Sequence, residues 1–163
     1  MILVTGAGGK LGSNIVAQLM SKIEKYEFIV TSSTQEGVFK LDKLGLNARF
    51  ANFNDLYSLK EAFTGVSKII LISTMDSNRF EQHKNVIDVA KSLNVKTIIY
   101  TSLAIKNIEN SSVKDLMISH FQTEEYLKNS GLNYNIVRNT MYAEALIEIL
   151  GEKALLENIH LPG

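Results

Sequence analysis

Cysteine is absent from this 163-residue chain, and proline occurs once, at Pro162. Without cysteine there is no disulfide framework, no thiolate nucleophile and no cysteine-bound zinc, which suits a reducing compartment. The single proline marks no internal linker. Charge of one sign is lacking too: 17 Lys and Arg balance 17 Asp and Glu, which argues against an electrostatic nucleic-acid binder. No apolar run approaches membrane-spanning length. No basic stretch precedes the apolar residues at Ile2, so the N-terminus does not read as a signal peptide. No Gly-x-Ser-x-Gly elbow and no His-Glu-x-x-His occurs, leaving hydrolase and zinc-protease chemistry without support. These absences leave a single cytoplasmic domain with a sizeable core, since hydrophobic residues make up 45% of the chain.

What is present is concentrated at the start. Ile2-Leu3-Val4 is a short buried-strand run, followed at once by Thr5-Gly6-Ala7-Gly8-Gly9-Lys10-Leu11-Gly12. A helical pattern then runs from about Gly9 to Lys25, with Leu11, Ile15, Leu19 and Ile23 at three- and four-residue steps. Strand, glycine turn, helix is the order a dinucleotide site requires. Gly6 takes the tight turn, Gly9 leaves room for a pyrophosphate, and Gly12 lets the helix lie close to the strand. The helix N-terminus then offers free N–H groups and its positive dipole end to the phosphates. The stretch Gly6 to Gly12, including Ala7, Gly8, Lys10 and Leu11, is therefore the expected cofactor cradle. Lys10 is followed by Leu11 rather than Ser or Thr, so this is not a Walker A loop.

Further apolar runs predict five more strands: 26–31, 48–51, 68–74, 96–100 and 134–138. Helices are expected over 56–63, 79–93, 113–130 and 143–156, with a short helix or turn over 39–46. Alternation of this kind gives a doubly wound α/β fold, a six-stranded parallel Rossmann sheet in the order 3-2-1-4-5-6 with helices on both faces. Ligands in such a sheet bind at the carboxyl ends of the strands. That edge collects Gly6, Ser32, Asn52 with Phe53, Ser73 with Thr74, Ser102 and Asn139. The tip of the second strand, Thr31-Ser32-Ser33-Thr34, carries no carboxylate before Glu36, which favours NADPH over NADH. Asp55 reads as a helix N-cap. Gln82 and His83 read as solvated helix residues.

Beyond the glycine turn, a wider set of residues resembles the NmrA-like atypical short-chain dehydrogenase/reductases, and most closely their bacterial NADPH-dependent quinone oxidoreductase branch. The matching residues are Leu71-Ile72-Ser73, Arg79, Gln82-His83 with Asn85-Val86-Ile87, Tyr100-Thr101-Ser102-Leu103, His120-x-x-Thr123-Glu124, and Arg138-Asn139 with Tyr142 and Glu144. The resemblance implies NADPH binding, with Arg79, Ser102 and His120 added to the cofactor contacts, and hydride transfer to a small quinone-like acceptor. Two departures stand out. The family's substrate-capping C-terminal part is largely missing from these residues, and the arginine often found at the second-strand tip is replaced by Ser32 and Ser33.

Tyrosine-dependent short-chain dehydrogenases use Tyr-x-x-x-Lys, in which the lysine lowers the tyrosine pKa. No such motif occurs here. With His120 at the lysine position, the tyrosine position is the apolar Leu116. Ketone–alcohol chemistry of that kind is therefore not expected, whereas quinone reduction needs little beyond positioning of two rings. His120 is the candidate catalytic residue, either as proton donor or cofactor contact, or else a core histidine bonded to Glu124. Asn139 and Tyr142 are the candidate substrate contacts, and Arg138 is expected to pair within the fold. The alternative to an enzyme is a dinucleotide-binding redox sensor without turnover. Uncovered apolar surface leaves a homodimer open.

Overall fold

The computed structural model describes residues 1–105, 107–111 and 114–140. Tyr142, Glu144 and the helix expected over 143–156 lie outside the described residues. Six strands form one parallel sheet: β1 (Ile2–Val4), β2 (Phe28–Ser32), β3 (Ala48–Phe50), β4 (Lys68–Leu71), β5 (Thr97–Leu103) and β6 (Asn133–Asn139). Their order is β3-β2-β1-β4-β5-β6, as expected. Five helices connect them: α1 (Lys10–Met20), α2 (Gln35–Lys43), α3 (Leu56–Phe63), α4 (Arg79–Ser92) and α5 (Lys114–Lys128).

Alternation along the strands divides the core between two faces. In β2, Phe28 and Val30 pack with Val4, Val16 of α1 and Leu41 of α2. On the other face Leu3, Ile29, Ile69 and Ile98 meet Leu59 of α3, Val86 and Ile87 of α4 and Leu127 of α5. The two halves of the chain thus wind to opposite sides from β1 and β4, whose registers align Leu3 with both Ile29 and Ile69. The switch in winding direction leaves a crevice at the carboxyl ends of β1 and β4. No helix of the described residues is long and apolar enough to cross a membrane.

Most boundaries differ from the sequence expectation by a few residues, and three of the shifts have a clear cause. Helix α1 stops at Met20 although apolar spacing continues to Ile23. The amides of Lys22 and Ile23 both return to the Leu19 carbonyl, and Glu24 and Glu27 then cap a single 3-10 turn. Helix α2 begins at Gln35, four residues early, because the Thr34 hydroxyl caps it by accepting the Gly37 N–H. Its sparse apolar positions (Leu41 is the only buried one) gave little periodic signal. Strand β4 ends at Leu71 rather than Thr74, for a reason that belongs to the site.

Candidate functional site

The glycine turn is built as its sequence requires. Gly6 has φ of +60°, a left-handed conformation that glycine adopts without steric cost. A Cβ on Gly12 would stand 2.1 Å from the Gly6 carbonyl oxygen, so only glycine lets α1 start this close to the turn. A Cβ on Gly9 would meet only that same oxygen, at 3.4 Å, and one on Gly8 would meet nothing within 4 Å. Gly9 therefore faces open space in front of the α1 N-terminus.

That space is one end of a cleft of about 460 Å³. Its walls are the turn at Gly6 and Gly9, the β2 tip at Thr31 and Ser33, the loop 51–54 after β3, and Ile72, Ser73, Thr74, Asp76 and Gln82. Of the expected contacts, Gly6, Gly9, Asn52, Phe53, Ser73 and Thr74 are brought together here. Ser32 is displaced by one position: its hydroxyl accepts the Thr34 N–H while Thr31 and Ser33 line the cleft. Among the cleft-lining residues at this tip there is no carboxylate, and Glu36 is paired with Lys40 at 2.6 Å.

The loop after β4 explains the early end of that strand. Thr5 at the end of β1 accepts the Ile72 N–H at 2.9 Å and donates to the Ile70 carbonyl. Thr101 of β5 accepts the Ser73 N–H at 3.0 Å and donates to the Leu71 carbonyl. Two threonine hydroxyls thus stand in for the ladder on either side, and the backbone splays from its neighbours into the cleft without leaving buried amides unpaired. The next amide, Thr74, is met by His83 Nε2 at 3.4 Å. Arg79 Nε donates to the Thr74 carbonyl, and the Thr74 hydroxyl donates to Gln82 Oε1 at 2.8 Å. Gln82 also donates to Asp76, and Asn85 donates to the Phe53 carbonyl at 2.9 Å. Helix α4 therefore holds both loops that border the cleft.

Contrary to the expectation that they are solvated, Gln82 and His83 are 5% and 0% exposed, and Arg79 is 1% exposed. The signal for this was available. Positions 79, 82, 83, 86, 87 and 90 form one helical stripe, apolar in its second half and polar in its first. Polar side chains on an inward stripe mark groups that bond to backbone.

Behind the cleft lies a second polar layer. Tyr100 is fully buried, and its hydroxyl is 3.0 Å from His120 Nδ1. Burial holds the phenol well above its ordinary pKa, and burial followed by the Arg79 charge pushes His120 down to about 4. A neutral phenol therefore faces a neutral imidazole, and the tautomer of His120 decides which of the two donates. The partner of His120 is thus Tyr100 and not Glu124. Glu124 instead accepts from Ser102 at 2.6 Å and from Arg138 Nε and Nη2 at 2.9 and 2.6 Å. Burial pushes its carboxyl up, but the bonds from Arg138 and Ser102 outweigh burial and hold it below the usual range. Arg79, Ser102 and His120 are all buried in this layer and are not among the cleft-lining residues. Leu116 lies in α5, and Asn139 closes β6, where its carbonyl accepts the Ala104 N–H.

A glycine turn against a helix N-terminus, opening into a crevice at the carboxyl edge of a parallel sheet, defines a dinucleotide-binding Rossmann domain. A family model described as NAD(P)H-binding matches residues 6–147, and the chain belongs to that family. An NmrA-like family domain-containing oxidoreductase of Aspergillus flavus is 33% identical over 147 residues, covering 87% of this chain and 48% of that protein. The crystal structure of Citrobacter sp. triphenylmethane reductase complexed with NADP(H) superposes with a TM-score of 0.83 at 30% identity, covering 95% of this chain and 53% of the other. That of the NADPH-dependent quinone oxidoreductase of Escherichia coli complexed with NADPH gives a TM-score of 0.82 at 34% identity, covering 91% and 52%. The chain thus spans about half the length of the relatives it matches.

Proposed function

We propose that this chain binds NADPH along the cleft and passes its hydride to a small quinone-like acceptor. The observation that carries the reading is the open cradle at Gly9, bounded by the φ +60° turn at Gly6 and the close approach at Gly12, at the head of a cleft of about 460 Å³. The residues fit the cofactor along its length. The turn and the amides of the α1 N-terminus would take the diphosphate. Thr31 and Ser33 would take the adenine ribose and its 2′-phosphate, with no carboxylate to repel it. Asn52 and Phe53 would border the adenine, and Ser73 and Thr74 the nicotinamide end. Asn139 and Tyr142 remain the proposed acceptor contacts.

The bound cofactor supplies the hydride. The protein holds the reacting ring and excludes water from one side of it. The reduced quinone oxygens are weak bases, so solvent can protonate them and no tyrosine–lysine pair is required. His120, held neutral against Tyr100, acts in this reading as a fixed polar group behind the cleft rather than as an acid. The dinucleotide-sensor reading is favoured by one observation: Ser102 and His120 are both engaged with other side chains of the fold. Calorimetric titration with NADPH and NADH, followed by NADPH oxidation with a small benzoquinone, separates the readings. Binding with turnover supports the reductase, binding alone the sensor. No binding of either nucleotide overturns both.

A further inference from the structure

Thr74 has every polar group engaged by one helix. Its amide meets His83, its carbonyl meets Arg79 and its hydroxyl meets Gln82. Those three residues lie within five positions at the start of α4, and all are buried. Enclosing so many polar groups is costly unless each is bonded, so the arrangement is demanding and the loop it holds has little freedom.

His83 is the centre of it, and its protonation pattern follows from its partners. Thr123 Oγ1 donates to the Ser119 carbonyl at 2.8 Å, which leaves a lone pair for the His83 Nδ1 atom 3.1 Å away. Nδ1 must then carry the proton. Nε2 keeps its lone pair and accepts the Thr74 N–H. The ring packs edge-on against both Phe53 and Tyr100, with centroids 6.4 and 5.3 Å away. Burial, followed by the neighbouring His120 and the Arg79 charge, pushes His83 down to about 3. It is a neutral ring with one donor and one acceptor, aimed in opposite directions.

We infer that His83 is a positioning residue for the dinucleotide site: as the Nδ1–H tautomer it links Thr123 of α5 to the Thr74 backbone and so sets the cleft wall. It touches the cofactor only through Thr74. Because Phe53 lines the same cleft and packs edge-on against the ring, His83 also joins the loop after β3 to the loop after β4. This inference rests on the cleft being the dinucleotide site.

The test uses the full chain labelled with 15N, together with the variants His83→Gln and His83→Asn. Glutamine presents an acceptor where Nε2 stands. Asparagine presents a donor where Nδ1 stands but nothing that reaches the Thr74 amide. Long-range 1H–15N spectra of the wild type should report His83 as the Nδ1–H tautomer. Amide exchange at Thr74, relative to Ile98 in the buried centre of β5, should rise about tenfold or more in H83N and much less in H83Q. NADPH affinity should fall roughly tenfold in H83N, the scale of one lost hydrogen bond with some loosening of its neighbours, and H83Q should recover most of it. The Nε2–H tautomer in the wild type overturns the inference. So does an H83N variant with wild-type Thr74 exchange and wild-type affinity. A wild type that binds no dinucleotide overturns the proposed function instead, and the part of the inference that assigns the cleft falls with it. The tautomer needs no substitution and decides the geometry even where a variant fails to fold.

Discussion

Replacing Gly12 with alanine gives the sharpest test of how the glycine turn works. The new methyl carbon would lie 2.1 Å from the Gly6 oxygen and 2.8 Å from both the Gly6 carbonyl carbon and Ala7 Cα. All three are backbone atoms of a turn whose φ of +60° is already specialised, so no side chain can swing aside. A carbon meets a carbonyl oxygen comfortably at about 3.3 Å, so α1 must withdraw from the turn by about 1 Å. Overpacking of this kind costs about 1–3 kcal/mol, and contact with backbone belongs at the upper end. Alanine recovers up to about 1 kcal/mol as the better helix former. The net loss is about 1–2 kcal/mol, or a fall of roughly 2–8 °C in Tm for a chain of this size. NADPH affinity should fall with it, because the amides at the α1 N-terminus move away from the diphosphate. Gly9→Ala is the internal comparison. Gly9 has φ −82° and ψ 171°, which alanine adopts freely, and its methyl would meet only the Gly6 oxygen, at 3.4 Å. Stability should change by less than about 1 kcal/mol, the cost of alanine at an N-cap, while NADPH affinity falls tenfold or more. Thermal unfolding and calorimetric titration of both variants provide the assay. A G12A variant with wild-type Tm and affinity would refute the steric reasoning, and equal stability losses in the two variants would refute the division of roles between them.

Three further outcomes are expected. Arg138→Ala leaves the buried Glu124 carboxylate with Ser102 as its remaining hydrogen-bond donor; because the Arg138 side chain is itself half exposed, solvent screens the pair and the cost should be about 1–2 kcal/mol; denaturant unfolding measures it, and a loss near zero would show that solvent reaches Glu124. Stability should fall as pH drops from about 6.5 toward 4, because His83 and His120 are held at about 3 and about 4 in the fold and the unfolded chain takes up their protons first. Each contributes up to about 1.4 kcal/mol per pH unit in that window, and a pH series of melts that is flat from 7 to 4.5 would contradict it. Ser33→Asp should weaken NADPH by tenfold or more and leave NADH nearly unchanged, since a carboxylate at the β2 tip repels the 2′-phosphate; parallel titrations with the two nucleotides decide this.

The fold was legible in the sequence because its strongest signals are local. The runs around Leu3, Ile29 and Ile69 are continuous and apolar, as buried parallel strands require, and the glycine turn fixes which strand is first. The site was less legible because its geometry comes from pairings distant in sequence. Nothing near Ile72 or Ser73 announces that Thr5 and Thr101 will bond their amides. Arg138 pairs within the fold as expected, and its partner is Glu124 of α5. Of the readings the sequence leaves open for His120, a bond to Glu124 one turn along α5 is replaced by a partner across the sheet, Tyr100. Gln82 and His83 were judged by residue type, whereas their stripe position outweighs type.

The splayed end of β4 has a consequence for how this protein assembles. The acceptors for Ile72, Ser73 and Thr74 lie 67, 28 and 9 residues away. No fragment containing only a neighbouring hairpin or a single βα unit can supply all three. The cleft wall therefore forms only once the first strand, the fifth strand and the fourth helix have all docked. Nucleotide affinity in this chain therefore reports on the docking of these three elements, and a population in which they are undocked would weaken the apparent constant in proportion to the docked fraction.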